Sequence, residues 1–451
     1  MILAPKRSIA LLMLLILLIM VGVARAKPAK APVQSWVAAW TGAAQGPYPI
    51  GFPLAQPELG LALPSAQRGA SDQSFRMIVR PDVWGRQARI RLSNVFGSKP
   101  VTFDDVEIGL QMSGAVMVAR SNRPVTFAGK SSVTVPAGQS LVSDPVALPF
   151  VRDVNDPMLA GRKLAVSFHI VGDSGPVTWH AMALTTSYLS APGAGSHTQE
   201  EGDFHFPYST TSWFFLDEVE MAVPGAQTIV ALGDSITDGT GSTLNGDDRW
   251  PDVFSRRVHA ALGNRFSIVN EGIGGNMVIG PADYAAEPFA GGPAASERLE
   301  RDVIALPSVT KVIWLQGIND FGHAGAQLDK VEDGVRDIVK RLRERIPGVR
   351  IYMGTLTSAL NSPDGVYGTP GVDEKRRAFN DFLRKAGLFD GVIDFDGATS
   401  DVKTGELRAE FQPSSTIGGP GDKLHPNRAG YSAMGNAIGF ATIFGLHEVR
   451  R

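Results

Sequence analysis

The chain has 451 residues, 43% hydrophobic and 20% charged, which is enough for two domains with their own cores and too apolar for disorder. Its 43 lysines and arginines are outnumbered by 45 aspartates and glutamates, so it carries no basic footprint and nucleic acid is not expected as a partner. With no cysteine, thiolate metal sites, a cysteine nucleophile and a disulfide framework are excluded.

At the start, Lys6 and Arg7 precede an apolar stretch from Ile9 to Ala24 that ends in Ala24-Arg25-Ala26. That pattern predicts a secretory signal over residues 1–26, cut after Ala26, with an uncleaved anchor as the alternative. Cleavage would leave no stable membrane span. A Lys/Pro/Ala-rich spacer follows at 27–34.

Residues 35–224 show short alternating runs between Gly, Pro, Asn and Asp, among them Ala88–Leu92, Ser132–Val135 and Leu164–Ile170. Apolar side chains at every second position line one face of a strand, and many such strands predict an all-β, sandwich or jelly-roll-like domain. Five tryptophans lie here: Trp36, Trp40, Trp84, Trp179 and Trp213. They read as core residues, with stacking on sugar rings as the other possibility. The segment also holds Gly172-Asp173-Ser174, which reads as a hairpin turn between strands ending at Val171 and resuming near Val177.

From 225 to 451 the pattern changes to buried strands alternating with amphipathic helices. Strands are predicted at 228–232, 266–270, 311–315, 349–354 and 391–395. The clearest helix is 329–346, with Val331, Val335, Ile338, Val339, Leu342 and Ile346 at spacings of three and four. Such alternation predicts an α/β domain around a parallel sheet, whose sites lie beyond the carboxyl ends of its strands. The unusual clusters fall at those ends: Gly233-Asp234-Ser235, Glu271–Asn276, Gly317-Ile318-Asn319-Asp320 and, after a Gly/Pro-rich loop, Gly421–Pro426.

Together these clusters hold the parts that acyl transfer needs. Ser235 supplies a hydroxyl on a glycine turn, His425 a base, and Asp422 a carboxylate three residues earlier that can fold back to the Nδ1 proton. The N–H groups of Ser235 and Gly275 and the side-chain amide of Asn319 are candidate donors to a developing oxyanion. Asp234 and Asp320 read as braces for their own turns. Arg249 and Trp250, ahead of Pro251, suit a helix start as well as a substrate contact. His323 reads as a solvated loop residue. No histidine pair has metal-ligand spacing with supporting carboxylates, so neither a metal nor a cofactor is expected.

The segments Gly233–Gly239, Asn270…Gly275, Gly317–Asp320 and Asp422–His425 resemble, in order, blocks I, II, III and V of the SGNH (GDSL) hydrolase superfamily over roughly residues 226–447. The resemblance implies a flavodoxin-like parallel sheet, Ser235 as nucleophile, and Asp422 with His425 completing the triad. It also implies Gly275, five residues past Asn270, and Asn319 as oxyanion-hole partners beside Ser235. Arg249-Trp250-Pro251-Asp252, Asn270–Asn276 and Trp36-Val37-Ala38-Ala39-Trp40 are similar to segments of exported two-domain esterases related to xylan- and pectin-deacetylating enzymes. That implies a periplasmic or secreted esterase acting on acylated carbohydrates or small esters. A lipase or arylesterase for longer or aromatic acyl groups shares the same residues. A glycan-binding protein with an inactive hydrolase domain is the reading from another class.

Overall fold

The computed structural model describes residues 35–446, so the predicted leader and spacer lie outside the described residues. From Ser35 onward the chain forms one compact unit. Among the described residues no helix is long and apolar enough to cross a membrane.

The first part is β-rich. One antiparallel sheet brings together Trp36–Thr41, Leu216–Ala222 and Gln87–Ser93, and a second is built on Ser71–Val79, Leu164–Asp173 and Val101–Ser113. Alternation works here as the sequence suggests: Ile90 and Leu92 of the first sheet and Phe75, Phe103, Val166 and Phe168 of the second share one core. Burying each of these side chains contributes roughly 1.5–3 kcal/mol. Trp40, Trp84, Trp179 and Trp213 are all buried in that core, and Trp36 is half-buried under the Arg89 guanidinium. The four buried tryptophans offer no open face to a polymer.

Gly172-Asp173-Ser174 is not a hairpin. The strand Leu164–Asp173 pairs with Ser71–Val79 and Val101–Ser113, whereas the next strand, Thr178–His180, belongs to a separate sheet with Trp213–Phe214 and Gly46–Pro47. The tripeptide therefore carries the chain from one sheet to another. Ser174 is buried, its Oγ accepting from Ala70 N–H at 2.9 Å and donating to Gly175 C=O at 2.8 Å.

The second part is a five-stranded parallel sheet of Gln227–Gly233, Phe266–Gly272, Val309–Leu315, Arg350–Gly354 and Gly391–Ile393. In order along the chain the strands sit 2-1-3-4-5 across the sheet, all neighbours parallel. The helix Leu328–Arg345 buries Val331, Val335, Ile338, Val339 and Leu342, with Asp329 in its first turn and arginines in its last, each opposing the helix dipole. It stops one residue early, because Ile346 precedes Pro347, which disfavours helical backbone before it. The fifth strand also ends short of 395. Asp394 caps the helix Phe395–Thr399 by accepting from Gly397 N–H, and Phe395 turns into the core.

The two parts are stitched together along Trp36–Thr41. Ala38 N–H donates to Thr228 Oγ1, Ser267 Oγ donates to Ala38 C=O at 2.6 Å, and Thr41 Oγ1 donates to Asn270 C=O at 3.3 Å. Ala38 is small enough to enter the core of the parallel sheet. The Trp-Val-Ala-Ala-Trp segment thus lies against the first two strands of the parallel sheet, Gln227–Gly233 and Phe266–Gly272.

Candidate active site

Three strand ends and the Gly421–Pro426 turn build the site. The first strand stops at Gly233, and Asp234, in extended conformation, accepts from Ile236 N–H at 3.0 Å through Oδ1, starting the short helix Ser235–Asp238. Ser235 is the first residue of that helix, so its Oγ stands at the carboxyl edge of the sheet. Its partner comes from 190 residues away: His425 Nε2 lies 2.8 Å from Ser235 Oγ. His425 Nδ1 lies 2.6 Å from Asp422 Oδ2, while Asp422 Oδ1 accepts from the N–H groups of Leu424 and His425 at 2.9 and 2.8 Å. The Nδ1 proton therefore points at Asp422 and the Nε2 lone pair receives the serine proton.

The Asp422 turn depends on its neighbour. Gly421 has φ +76°, and a Cβ there would lie 1.6 Å from Gln412 O, so only glycine brings the carboxylate round. Burial would raise the Asp422 pKa, but the bonds and charge of His425 and the two backbone N–H groups hold it well below the usual carboxylate range.

The second strand end forms the opposite wall. Gly274 N–H is engaged by Asp238 Oδ2 at 2.9 Å, whereas Gly275 follows it at φ +82°. Asn276 fixes this loop, its Nδ2 donating to Gly291 and Pro293 C=O and its Oδ1 accepting from Arg298 and Gln316. Buried Arg298 also donates to Gly233 C=O and Glu271 C=O, clamping the first two strand ends together. From the third strand end, Asn319 donates one Nδ2 proton to Asn276 C=O at 3.0 Å, and its Oδ1 accepts from Tyr367 Oη at 2.8 Å. That orients the amide and leaves its second N–H for another acceptor.

Asp320 braces a neighbouring loop as well as its own turn, accepting from the N–H groups of Val278 and Ile279 and from its own. Burial pushes its pKa up to about 6, and burial pushes that of Asp234 up to about 7 despite the Ile236 N–H. Tyr367 is pushed up to about 12 by burial and by nearby Asp234 and Asp364, so it stays a hydroxyl donor to Asn319 at any working pH. Arg249 caps the helix Trp250–Leu262 and donates to Ala183 C=O of the β-rich part, while Trp250 is fully buried. Both are framework residues.

Sequence reasoning missed what the β-rich part adds. His180, buried between Ala43 C=O at 2.8 Å and Asp238 Oδ1 at 3.1 Å, stacks on Trp213 and holds the carboxylate that pins Gly274. Both its nitrogens face acceptors, a constraint no spacing in the sequence advertises. Phe52 lies over Gly275, where a Cβ would meet its ring at 2.6 Å. Phe52 packs edge-on to Phe289, and the exposed His323 ring stacks on Phe289 at 5.2 Å. His323 is thus part of an aromatic wall and not a free loop side chain.

Among the described residues, one group has ligating atoms within 4.8 Å of one another: His197, Glu200 and His205. Each histidine Nδ1 bonds a different Glu200 oxygen, at 2.8 and 2.7 Å. The expectation that no histidine pair comes with a supporting carboxylate is corrected here, because a loop closes the spacing that the linear sequence leaves open. None of these residues touches Ser235, His425 or Asp422.

A serine, an imidazole and a carboxylate in relay, flanked by a glycine loop and an oriented amide, can do acyl transfer. Residues 231–433 match the GDSL-like lipase/acylhydrolase family. This stretch is a GDSL-like acylhydrolase domain. The chain is accordingly a carboxylic ester hydrolase. The domain is similar to several solved structures. A carbohydrate acetylesterase from Sinorhizobium meliloti is 17% identical over 47% of this chain and 96% of its own, with a TM-score of 0.35. A carbohydrate acetylesterase family member from the same organism is 18% identical over 49% and 100%, at 0.37. A GDSL-like lipase from Bacteroides thetaiotaomicron is 18% identical over 49% and 89%, at 0.35. None of the curated proteins compared matches the chain.

Proposed function

We propose that the protein is an exported serine esterase that removes short acyl groups, acetyl foremost, from carbohydrate hydroxyls through an acyl-enzyme on Ser235. The observation that carries the mechanism is the unbroken relay from Ser235 Oγ to His425 Nε2 and from His425 Nδ1 to Asp422. In this reading His425 takes the Ser235 proton as Oγ bonds the ester carbonyl carbon, and returns it to the leaving alcohol oxygen as the carbon–oxygen bond breaks. Water, deprotonated by the same imidazole, then releases the acid. The N–H groups of Ser235 and Gly275 and the Nδ2 of Asn319 receive the oxyanion.

The strand order 2-1-3-4-5 supports a flavodoxin-like domain over 225–451, and two antiparallel sheets around one core support a sandwich over 35–224. The choice of carbohydrate rests on the resemblance of the Arg249–Asp252 and Asn270–Asn276 segments to deacetylating enzymes, and export rests on the leader pattern of residues 1–26. The test is Ser235→Ala beside Ser174→Ala, assayed on acetylated xylan and on a nitrophenyl acetate. The first should lose kcat by roughly 10⁴-fold or more and the second should retain it. Loss of activity in the Ser174 variant alone would overturn the assignment. Wild-type cleavage of nitrophenyl acetate with no release of acetate from any acetylated glycan would overturn the substrate.

A further inference from the structure

The loop between Gly46–Pro47 and the second antiparallel sheet runs from the β-rich part into the active site, and it is firmly held. Trp179 Nε1 donates to Ile50 C=O at 3.0 Å, Thr211 Oγ1 donates to Leu54 C=O at 3.2 Å, and Gln56 Oε1 accepts from Thr211 N–H at 2.6 Å. Gly51 is wedged so closely that a Cβ there would lie 2.7 Å from Ala181 Cβ. Between these anchors, Phe52 covers Gly275 and Leu54 lines a cleft of about 300 Å³ that opens on Asp422 and His425. Thr240, Gln412, Ser414, Ile417 and Pro420 supply the other side chains of its wall.

The chemistry gives this cleft a direction. His425 must hand its proton to the oxygen of the departing alcohol, so that oxygen lies against Nε2 and the group attached to it extends over the histidine. The acyl chain, on the other side of the carbonyl carbon, then points away from the histidine. The volume of the cleft is at the small end of the roughly 300–1,000 Å³ usual for ligand sites. Its wall sets amide and hydroxyl groups from Gln412, Ser414 and Thr240 beside apolar surfaces from Leu54, Ile417 and Pro420. A sugar ring presents the same pairing, C–H faces with a hydroxyl rim.

We infer that the cleft between the Gly51–Gln56 loop and residues 412–421 is the subsite for the alcohol portion of the ester, and that it accepts a single sugar ring. The inference rests on the esterase reading above. It makes the β-rich part a wall of the substrate site in place of a separable capture module, with Leu54 as a specificity-determining residue.

The experiment uses the full chain and esters that share acetyl but differ in alcohol: methyl acetate, cyclohexylmethyl acetate and monoacetylated xylobiose. Leu54→Trp, which fills the cleft from the β-rich side, should lower kcat/KM for the two ring alcohols relative to methyl acetate by about tenfold or more. Ile417→Trp narrows it from the opposite, exposed side, and gives the same test should the first variant fold poorly. The preference between methyl acetate and methyl butyrate should move less than twofold in both. Parallel losses on methyl and ring alcohols, or a shift in acyl preference with none in alcohol preference, would overturn the subsite. A wild-type enzyme that cleaves cyclohexylmethyl acetate but not acetylated xylobiose would defeat the sugar ring alone, while the alkyl series still decides the direction of the cleft.

Discussion

Asp234→Asn isolates a charge that folding buries. Asp234 is fully buried, its Oδ1 accepting from Ile236 N–H, and its Oδ2 has no hydrogen-bond partner. Burial pushes its pKa up to about 7 from an ordinary 3.8, with Asp320 pushing the same way and the Ile236 N–H, His425 and Arg298 opposing. The folded protein therefore keeps a proton that the unfolded chain releases from about pH 4 upward, so stability contributed by the protonated form is lost as pH rises toward 7. At about 1.4 kcal/mol per unit the full penalty is roughly 4 kcal/mol, of which roughly 2 to 3 kcal/mol develops between pH 5 and 8. Asparagine keeps the oxygen that caps Ile236 and cannot ionise. Its NH₂ adds a pH-independent offset of about 1–3 kcal/mol if left unpaired. Urea unfolding of both proteins at pH 5 and 8 should show the variant gaining roughly 2 to 3 kcal/mol on the wild type between the two. The offset cancels in that comparison, as do the buried carboxylates that do not interact with Asp234. An equal difference at both pH values would show that Asp234 does not hold its proton in the folded state.

Asn319→Ala should lower kcat by about 10²–10³-fold, the usual effect of losing one oxyanion donor, and Tyr367→Phe by about tenfold through loss of the Oη–Oδ1 bond that orients the amide. A rise in KM at constant kcat would make both ground-state contacts. His180→Phe frees Asp238 and with it Gly274, so kcat should fall roughly tenfold or more with little change in KM, and His180→Gln, which keeps a donor toward Asp238, should recover most of it. Equal rates for the two variants would reduce His180 to packing. Asp422, held ionised well below the usual carboxylate range, should add no limb of its own to the pH profile of kcat between about pH 5 and 9. EDTA should leave the rate intact, and inactivation reversed by a divalent cation would overturn the metal-free relay.

The parallel-sheet part was legible because its signals are local. Buried runs such as Thr228–Leu232 are too short for helices, and each polar cluster sits directly after one. The hydrogen-bonded pairing of Asp422 with His425 was legible for the same reason, the two being three residues apart within one turn. Where prediction slipped at element ends, a capping residue decided the matter: Asp394 looked like the continuation of a strand because its neighbours Ile393 and Phe395 are apolar, yet its carboxylate starts a helix. Ser174 slipped differently. Gly, Asp and Ser mark a turn but do not say which strands it joins, and that depends on pairing with residues a hundred positions away.

What the sequence could not display is the dependence of one part on the other. His180 reaches Asp238 over 58 residues, and Phe52 of the β-rich part reaches Gly275 of the parallel-sheet part. Both contacts require the β-rich part to dock on the parallel-sheet part, along Trp36–Thr41 and through further bonds such as Ile268 N–H to Asp82 and Tyr284 Oη to Gln45 C=O. The consequence is energetic as well as geometric. If Gly274 is held through Asp238 by a histidine of the β-rich part, the oxyanion loop is preorganised by a group that a lone parallel-sheet domain would lack. Such a domain would have to order that loop when substrate binds, which raises the barrier to the chemical step. Loss of the docking contacts should therefore appear in kcat even for the smallest ester, where no alcohol subsite is used. That is a different signature from the alcohol selectivity assigned to Leu54, and the two roles of the β-rich part can be separated by substrate size alone.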